Sequence, residues 1–224
     1  MKKIISAILI VATLFTACIS LASCSEGSID RRSYCEYRDT RDIAGRKLSF
    51  VEMAVKDTGT MIILIDHTAS PTTAGNFMNL VNEGFYDGIT FHRVKRDFVV
   101  QGGDPTGTGR GGSDKTIYGE FATNGYIYND ISHLRGTIAM ARSGDPNSAS
   151  SQFYFCHADA ISLDTNYATF GYIIAGLNVV DKIVDKTERY ADSNMGTIAD
   201  KSKQMVISYA VEISAEEAAE YLPK

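Results

Sequence analysis

The chain has 224 residues, 44% of them hydrophobic and 22% charged, with a formal net charge of -5. This is the composition of a globular protein with one core of fair size, and it excludes the low-hydrophobicity, high-charge profile of a disordered chain. The negative balance deepens if Lys2 and Lys3 leave with a leader, so attraction to polyanions is disfavoured and no nucleic-acid partner is expected.

The first segment reads as an export signal. Met1-Lys2-Lys3 supplies a positive start, and Ile4 to Ala17 is an apolar run too short to span a bilayer comfortably. Residues 1–23 are therefore assigned to a signal peptide and excluded from the fold. Leu21-Ala22-Ser23-Cys24 resembles the bacterial lipobox, at which the cysteine is diacylated and becomes the new N-terminus. The expectation is a lipid anchor on Cys24 that holds the protein at a bacterial membrane, outside the cytoplasm, on a cell surface or facing a periplasm. Phe15-Thr16-Ala17-Cys18 is a poorer second lipobox, and plain secretion with Cys24 as an ordinary residue is the other alternative.

With Cys24 lipidated, Cys35 and Cys156 lie in unlike surroundings and imply no disulfide framework. Neither Cys-x-x-Cys nor His-x-x-x-His occurs, and His67, His92, His133 and His157 lack metal-ligand spacing. No metal and no cofactor are expected.

Residues 24–46 form a polar tether in which five arginines alternate with as many acids and apolar periodicity is almost absent. About 20 such residues span roughly 25 Å, enough to lift a domain clear of lipid headgroups. From Lys47 the pattern changes. Leu48 to Val55 and Thr60 to Ile65 are apolar runs separated by Lys56-Asp57-Thr58-Gly59, which predicts a hairpin. Ser70-Pro71 offers an N-cap with proline at the first helical position. Ala74, Phe77, Leu80 and Val81 then share one face until Gly84 stops the helix.

Strand patterns follow at Ile89 to Val94, Phe98 to Gln101, Thr137 to Ala141, Gln152 to Cys156, Ala168 to Ala175 and Gln204 to Ile213, with a second amphipathic helix at Leu177 to Val184. Ser214-Ala215-Glu216-Glu217 is a capping box that opens a short accessory helix over 214–224. The fold expected for 47–213 is mainly β: a closed eight-stranded antiparallel barrel capped by two α-helices, since closure removes the exposed edges of an open sheet.

The chemistry concentrates in Phe91-His92-Arg93-Val94-Lys95-Arg96-Asp97-Phe98-Val99-Val100-Gln101-Gly102-Gly103-Asp104. An arginine, a phenylalanine five residues on and a glutamine three further sit on two adjacent strand segments. Here the chain resembles the cyclophilin family of peptidyl-prolyl cis/trans isomerases. The likeness continues in order through Gly136 to Arg142, Ser151 to Phe155 and Leu163 to Gly171. It implies the cyclophilin barrel, catalysis by Arg93, and a proline pocket walled by Phe98, Val99, Tyr154 and Leu163. Gln101, Gln152 and the backbone at Ala141 to Arg142 would hold the peptide, with His92 and Tyr167 at the rim. Partners would be proline-containing polypeptide clients, and the protein is expected to act as a monomer.

The implied role fits the chemistry. Rotating an Xaa-Pro bond needs no nucleophile, only loss of amide resonance across about 18 to 20 kcal/mol. As the bond twists, the imide nitrogen regains its lone pair, and a fixed hydrogen-bonding cation then favours the twisted form over the planar one. Shortening a step of about 100 s to about a millisecond requires roughly 10⁵-fold, or about 7 kcal/mol.

Three departures from the family stand out. Ser162 replaces the tryptophan of cyclosporin-binding members, Arg142 an asparagine, and Tyr154 a phenylalanine. The missing indole predicts weak cyclosporin binding. Gly107-Thr108-Gly109-Arg110-Gly111-Gly112 spells G-x-G-x-x-G but follows Asp104-Pro105 instead of a strand, so a dinucleotide site is not expected, and the resemblance implies a glycine-rich loop beside the peptide groove. No G-x-S-x-G is present for serine hydrolysis. The alternative function is a module on the same fold that grips prolyl segments as a chaperone or adaptor without turnover.

Overall fold

The computed structural model describes residues 45–221. The leader, Cys24, Cys35 and the tether as far as residue 44 lie outside the described residues. Arg46, assigned to the tether by sequence, is docked on the domain: Nη1 donates to Asp66 Oδ2 at 2.7 Å, and Nη2 pairs with Asp130. Asp66 is 1% exposed, so this ion pair fixes the point at which the chain enters the domain.

Nine strands run in chain order as β1 (Leu48–Val55), β2 (Gly59–Asp66), β3 (Thr90–Phe91), β4 (Arg93–Lys95), β5 (Val99–Gly102), β6 (Thr137–Met140), β7 (Phe153–Cys156), β8 (Thr169–Ala175) and β9 (Met205–Ile213). The helices are α1 (Pro71–Asn82), α2 (Asn178–Thr187) and α3 (Ala215–Glu220). The strands form one antiparallel sheet in the order β3-β9-β1-β2-β8-β6-β7-β5-β4.

The run Ile89 to Val94, expected as one strand, is two. β3 pairs with β9, β4 pairs with β5, and the partner changes at His92. The two ends of the sheet are therefore one covalent segment, which closes the barrel. His92 itself bonds both ways, its amide to the Gln101 carbonyl at 3.1 Å and its carbonyl to the Ile198 amide at 2.9 Å. Counted as a single bent strand, β3-β4 restores the expected eight.

Strand alternation explains the two sides of the wall. Met61, Ile63 and Ile65 of β2 join Val51, Met53, Phe77, Phe153, Phe155 and Phe170 in the interior core. Ile62 and Leu64 point outward, yet are only 1% exposed each, because Ala218 of α3 packs over them with Phe50 and Ile174. The C-terminal helix thus covers an apolar patch on the outer wall, and its expected capping box is present, with Ser214 Oγ accepting from the Glu217 amide and Glu217 Oε2 from the Ser214 amide. Strand β8 crosses β2 so closely at Gly171 that a Cβ there would stand 2.0 Å from the Leu64 carbonyl oxygen.

Helix α1 begins with Pro71 at its first turn as expected and presents Ala74, Phe77, Leu80 and Val81 to the core. Its cap differs. Ser70 does not cap it, because Ser70 Oγ donates to the Thr169 carbonyl at 2.7 Å. The orphan amides of Thr72 and Thr73 instead bond the two carboxylate oxygens of Glu120, at 2.9 and 2.8 Å. A buried carboxylate there also complements the positive end of the helix. Among the described residues no helix is long and apolar enough to cross a membrane.

Candidate active site

The site is built on the outer face of β4, β5, β7 and β6. Cross-strand register places Arg93 opposite Gln101, Gln101 opposite Tyr154, and Tyr154 opposite Ala139, so these four form one lateral row. Next to the row, Val99, Tyr154, Ala139, Cys156 and Ala160 form an apolar cluster, joined by Phe98, Ala141, Leu163 and Tyr167. Six residues expected at the pocket, Phe98, Val99, Ala141, Tyr154, Leu163 and Tyr167, are thereby brought together.

Arg93 is held over this cluster by a loop that sequence reasoning missed. Nε donates to the Met195 carbonyl at 2.7 Å. Asp192 shapes that loop by accepting the amides of Asn194, Met195 and Thr197. Nη1 donates to Gln101 Oε1 at 3.1 Å, and the guanidinium lies 5.8 Å from the Phe98 ring centroid. Arg93 forms no ion pair among the described residues, and Nη2 has no partner among them. Burial pulls its pKa below the ordinary value, against Tyr167, Tyr154 and Asp192, which raise it. A guanidinium stays protonated at any working pH all the same.

A directed relay leaves Arg93. Gln101 Nε2 donates to Gln152 Oε1 at 2.9 Å, and Gln152 Nε2 donates to the carbonyls of Gly109 and Gly111 at 3.1 and 2.7 Å. Since arginine can only donate, Gln101 must turn its oxygen toward it, and this fixes both amides and ties the glycine loop to the row. The loop is shaped from the other side by Asp104, which accepts the amides of Thr106, Thr108 and Gly109. Burial would raise the Asp104 pKa, but the bonds from Thr106, Gly111 and Gly109 outweigh it and bring it down to about 2. The G-x-G-x-x-G run is thus a loop folded on a carboxylate, as its context indicates.

His92 is buried rather than rim-exposed. It is 2% accessible, lies against Gly109 and has neither ring nitrogen bonded, since the neighbouring Gln152 amide gives its Nε2 to the loop carbonyls. Burial lowers its pKa, so the ring is neutral. The Ala141 amide already donates to the Gln152 carbonyl at 2.9 Å. The Arg142 guanidinium packs on the rings of Phe121 and Tyr167, with centroids at 5.0 and 4.7 Å.

Three further residues, His133, Asp164 and Phe121, shape the pocket without having been singled out by the sequence. The Tyr154 hydroxyl meets His133 Nε2, and Asp164 holds the other nitrogen of that ring. Burial lowers the His133 pKa despite Asp164, and burial raises that of Tyr154 well above its ordinary value, so both are neutral. Phe121 is the third. Their signal was absent because each acts on Tyr154 or Arg142 from ten or more positions away in the chain. Among the described residues no cluster of three or more His, Cys, Asp or Glu could hold a metal ion.

Residues 50–207 match the family model described as cyclophilin type peptidyl-prolyl cis-trans isomerase/CLD. The peptidyl-prolyl cis-trans isomerase ppi1 of Schizosaccharomyces pombe is 44% identical over 126 residues, covering 56% of this chain and 79% of that protein. A peptidyl-prolyl cis-trans isomerase of Helicobacter pylori is 38% identical over 148 residues, covering 64% and 88%. Among solved structures, a cyclophilin type peptidyl-prolyl cis-trans isomerase of Cryptosporidium parvum superposes with a TM-score of 0.63 at 26% identity, covering 75% of this chain and 99% of that one. The same Cryptosporidium protein crystallised in the presence of the dipeptide Ala-Pro gives 0.62 at 26% identity, with 74% and 99% covered. A match over most of the barrel, with named isomerases among its relatives, means that the chain belongs to the cyclophilin-type peptidyl-prolyl cis/trans isomerase family and is an isomerase of that class.

Proposed function

We propose that the enzyme accelerates rotation of Xaa-Pro bonds in exported polypeptides, with Arg93 stabilising the twisted imide in the apolar pocket of Phe98, Val99, Tyr154 and Leu163. One observation carries this reading: Arg93 stands in a row with Gln101 and Tyr154, anchored through Nε and Nη1, unpaired with any carboxylate among the described residues, and with Nη2 left over. Two anchored nitrogens pre-organise the third, so little reorganisation is needed as the bond twists. A relative from Cryptosporidium parvum was crystallised in the presence of the dipeptide Ala-Pro, which is consistent with a prolyl ligand for this family. Gln101, Gln152 and the Ala141–Arg142 backbone position the peptide around it, and His92 supports the glycine loop from beneath. Tyr167 stands as the flat wall toward Arg142.

Cis-to-trans relaxation of a short Xaa-Pro peptide tests this. The wild type should accelerate it, and Arg93→Ala should lose at least about 10²-fold in kcat/KM, comparable to removing an oxyanion donor. Arg93→Lys should also be damaging, because a point charge cannot keep two anchors and a free donor at once. Peptide binding with no acceleration by either protein would leave the non-catalytic chaperone or adaptor standing instead.

The cellular setting follows from the leader. The Lys2-Lys3 start, the apolar run and the Leu21 to Cys24 motif support a lipoprotein held by Cys24 outside the cytoplasm, where its clients would be proline-containing polypeptides. Metabolic labelling with a tagged palmitate should mark the wild type and not Cys24→Ala. Label retained by the variant would move the anchor elsewhere.

A further inference from the structure

The chain is acidic overall, yet the rim of its pocket is cationic. Arg93 stands in the same lateral row as Tyr154, with Gln101 between them. Tyr167 packs edge-on to Tyr154 at 6.0 Å, and the Arg142 guanidinium stacks on Tyr167 at 4.7 Å. Arg110 is exposed at the loop whose Gly109 and Gly111 carbonyls are pinned by Gln152. None of these three arginines forms an ion pair among the described residues. Arg46, Arg96 and Arg135 behave differently: Arg46 is bonded to Asp66 and Asp130, Arg96 to Asp185 and Glu188, and Arg135 to Asp181.

Arg142 is the most constrained of the three. Nε and Nη2 both donate to the Asn166 carbonyl, at 3.1 and 2.9 Å, and Nη1 donates to the Ser143 carbonyl at 2.9 Å. The Phe121 and Tyr167 rings both pack against its guanidinium. Three of its five N–H groups are used, which leaves one on each terminal nitrogen to donate to an anion. Its acidic neighbours are engaged elsewhere: Asp145 accepts the Asn147 amide at 2.8 Å, and Asp164 accepts from Ser132 and His133. Conformational entropy normally cancels most of the gain from a surface ion pair, but here the side chain is ordered before any ligand arrives.

We infer that Arg142 is a specificity-determining residue, and that the enzyme prefers prolyl segments carrying an aspartate or glutamate next to the proline. This inference rests on the prolyl pocket proposed above, since it places the acidic side chain one residue from the ring in that pocket. Arg110 and Arg93 add a field of the same sign, whereas a lysine in the flanking position would meet repulsion.

The test compares isosteric peptides in which Glu or Gln immediately precedes the proline, and a second pair in which it immediately follows, all other positions being alanine. Both kcat/KM and equilibrium affinity are read, and the Glu-to-Gln ratio within each protein is the quantity of interest. The wild type should favour Glu by about threefold to tenfold in one of the two series at low salt, and the ratio should shrink as salt rises. Arg142→Gln should bring the ratio to about one, and Arg142→Lys should keep part of it. A wild-type ratio of one in both series overturns the inference, as does a preference unchanged in Arg142→Gln. Should Arg142→Gln not fold, the wild-type ratio and its salt dependence decide the matter. All-alanine peptides separate the two readings: acceleration without acid preference sinks only this inference, and acid-selective binding without acceleration sinks only the isomerisation proposal.

Discussion

The Tyr154 hydroxyl stands 3.0 Å from His133 Nε2, and Nδ1 of the same ring stands 2.7 Å from Asp164. His133 is 0% exposed and Tyr154 4%, so this chain of polar groups runs through the floor of an otherwise apolar pocket. With both groups neutral, Tyr154 donates, His133 accepts at Nε2, and the Nδ1 proton goes to Asp164. The hydroxyl that distinguishes Tyr154 from phenylalanine is therefore drawn down onto His133.

Tyr154→Phe should accordingly destabilise the fold even though it removes one oxygen and keeps the ring. It leaves Nε2 of a buried imidazole without a partner, which costs about 1 to 3 kcal/mol. A urea titration would show this as a lower midpoint with the slope unchanged. An unaltered midpoint would mean that His133 finds another partner and that the relay contributes nothing.

Gln101 receives Arg93 and passes a proton donor on to Gln152. Gln101→Ala removes one of the two anchors of Arg93 and frees the glycine loop, so kcat/KM should fall about 10- to 100-fold through misplacement alone. Gln101→Glu should be worse than alanine. Its carboxylate would bind the Arg93 charge in the ground state and could no longer donate to Gln152. An activity for Gln101→Glu near that of the wild type would show that the guanidinium is not the stabilising group.

Much of this was legible in the sequence because alternation and turn chemistry are local. The β1-β2 hairpin across Asp57 and Gly59, α1 behind Pro71, and the Ser214 capping box all follow from neighbours within a few residues. The failures are non-local. Ser70 looks like a cap, but Glu120 arrives from 50 positions away with two oxygens and displaces it. Ile89 to Val94 looks like one strand because nothing in its own alternation marks the change of partner at His92. The family motif named Arg93 and its pocket, while His133, Phe121 and the Met195 carbonyl act from loops whose placement only the closed barrel determines.

Gly103 links the row to the glycine loop. Its φ is +85°, and a Cβ there would lie 2.4 Å from the Ser151 carbonyl oxygen, a backbone atom that cannot swing aside. Gly103→Ala should therefore cost roughly 3 kcal/mol or more, adding the left-handed conformation to the clash. Chemical denaturation would measure it. A loss below about 1 kcal/mol would contradict the close approach of β5 to the Ser151 segment.

Stability should fall in two steps as the solution is acidified. His67, His92, His133 and His157 are all held below the ordinary value of 6.5, chiefly by burial. The unfolded chain then takes up protons that the folded one refuses, so stability is full above pH 6.5 and declines as pH drops from there toward the lowered folded values. Asp104, at about 2, and Asp164, also lowered, contribute stability that is present above their ordinary 3.8 and lost as pH falls through their folded values. Urea midpoints from about pH 8 to about pH 2 would resolve both steps. His92→Phe, which removes two unpartnered buried nitrogens, should shrink the first step. A flat profile between about pH 8 and pH 5 would contradict the neutral, buried histidines.

Ser162 sits exposed in the single turn Ile161–Leu163, next to Ile161, which is 60% exposed, and Leu163, which packs into the pocket cluster. Family members that bind cyclosporin carry tryptophan at this place, and its indole offers both apolar surface and an N–H donor to a peptidic ligand. The wild type should therefore bind cyclosporin weakly. Ser162→Trp should strengthen binding by about tenfold or more, since one buried aromatic contact contributes on the order of 1 to 2 kcal/mol. Exposure at this turn leaves room for the ring without repacking the core, so the gain should come without loss of stability. Tight binding by the unaltered protein, or no change in affinity on adding the indole, would show that other parts of the pocket control recognition of the drug.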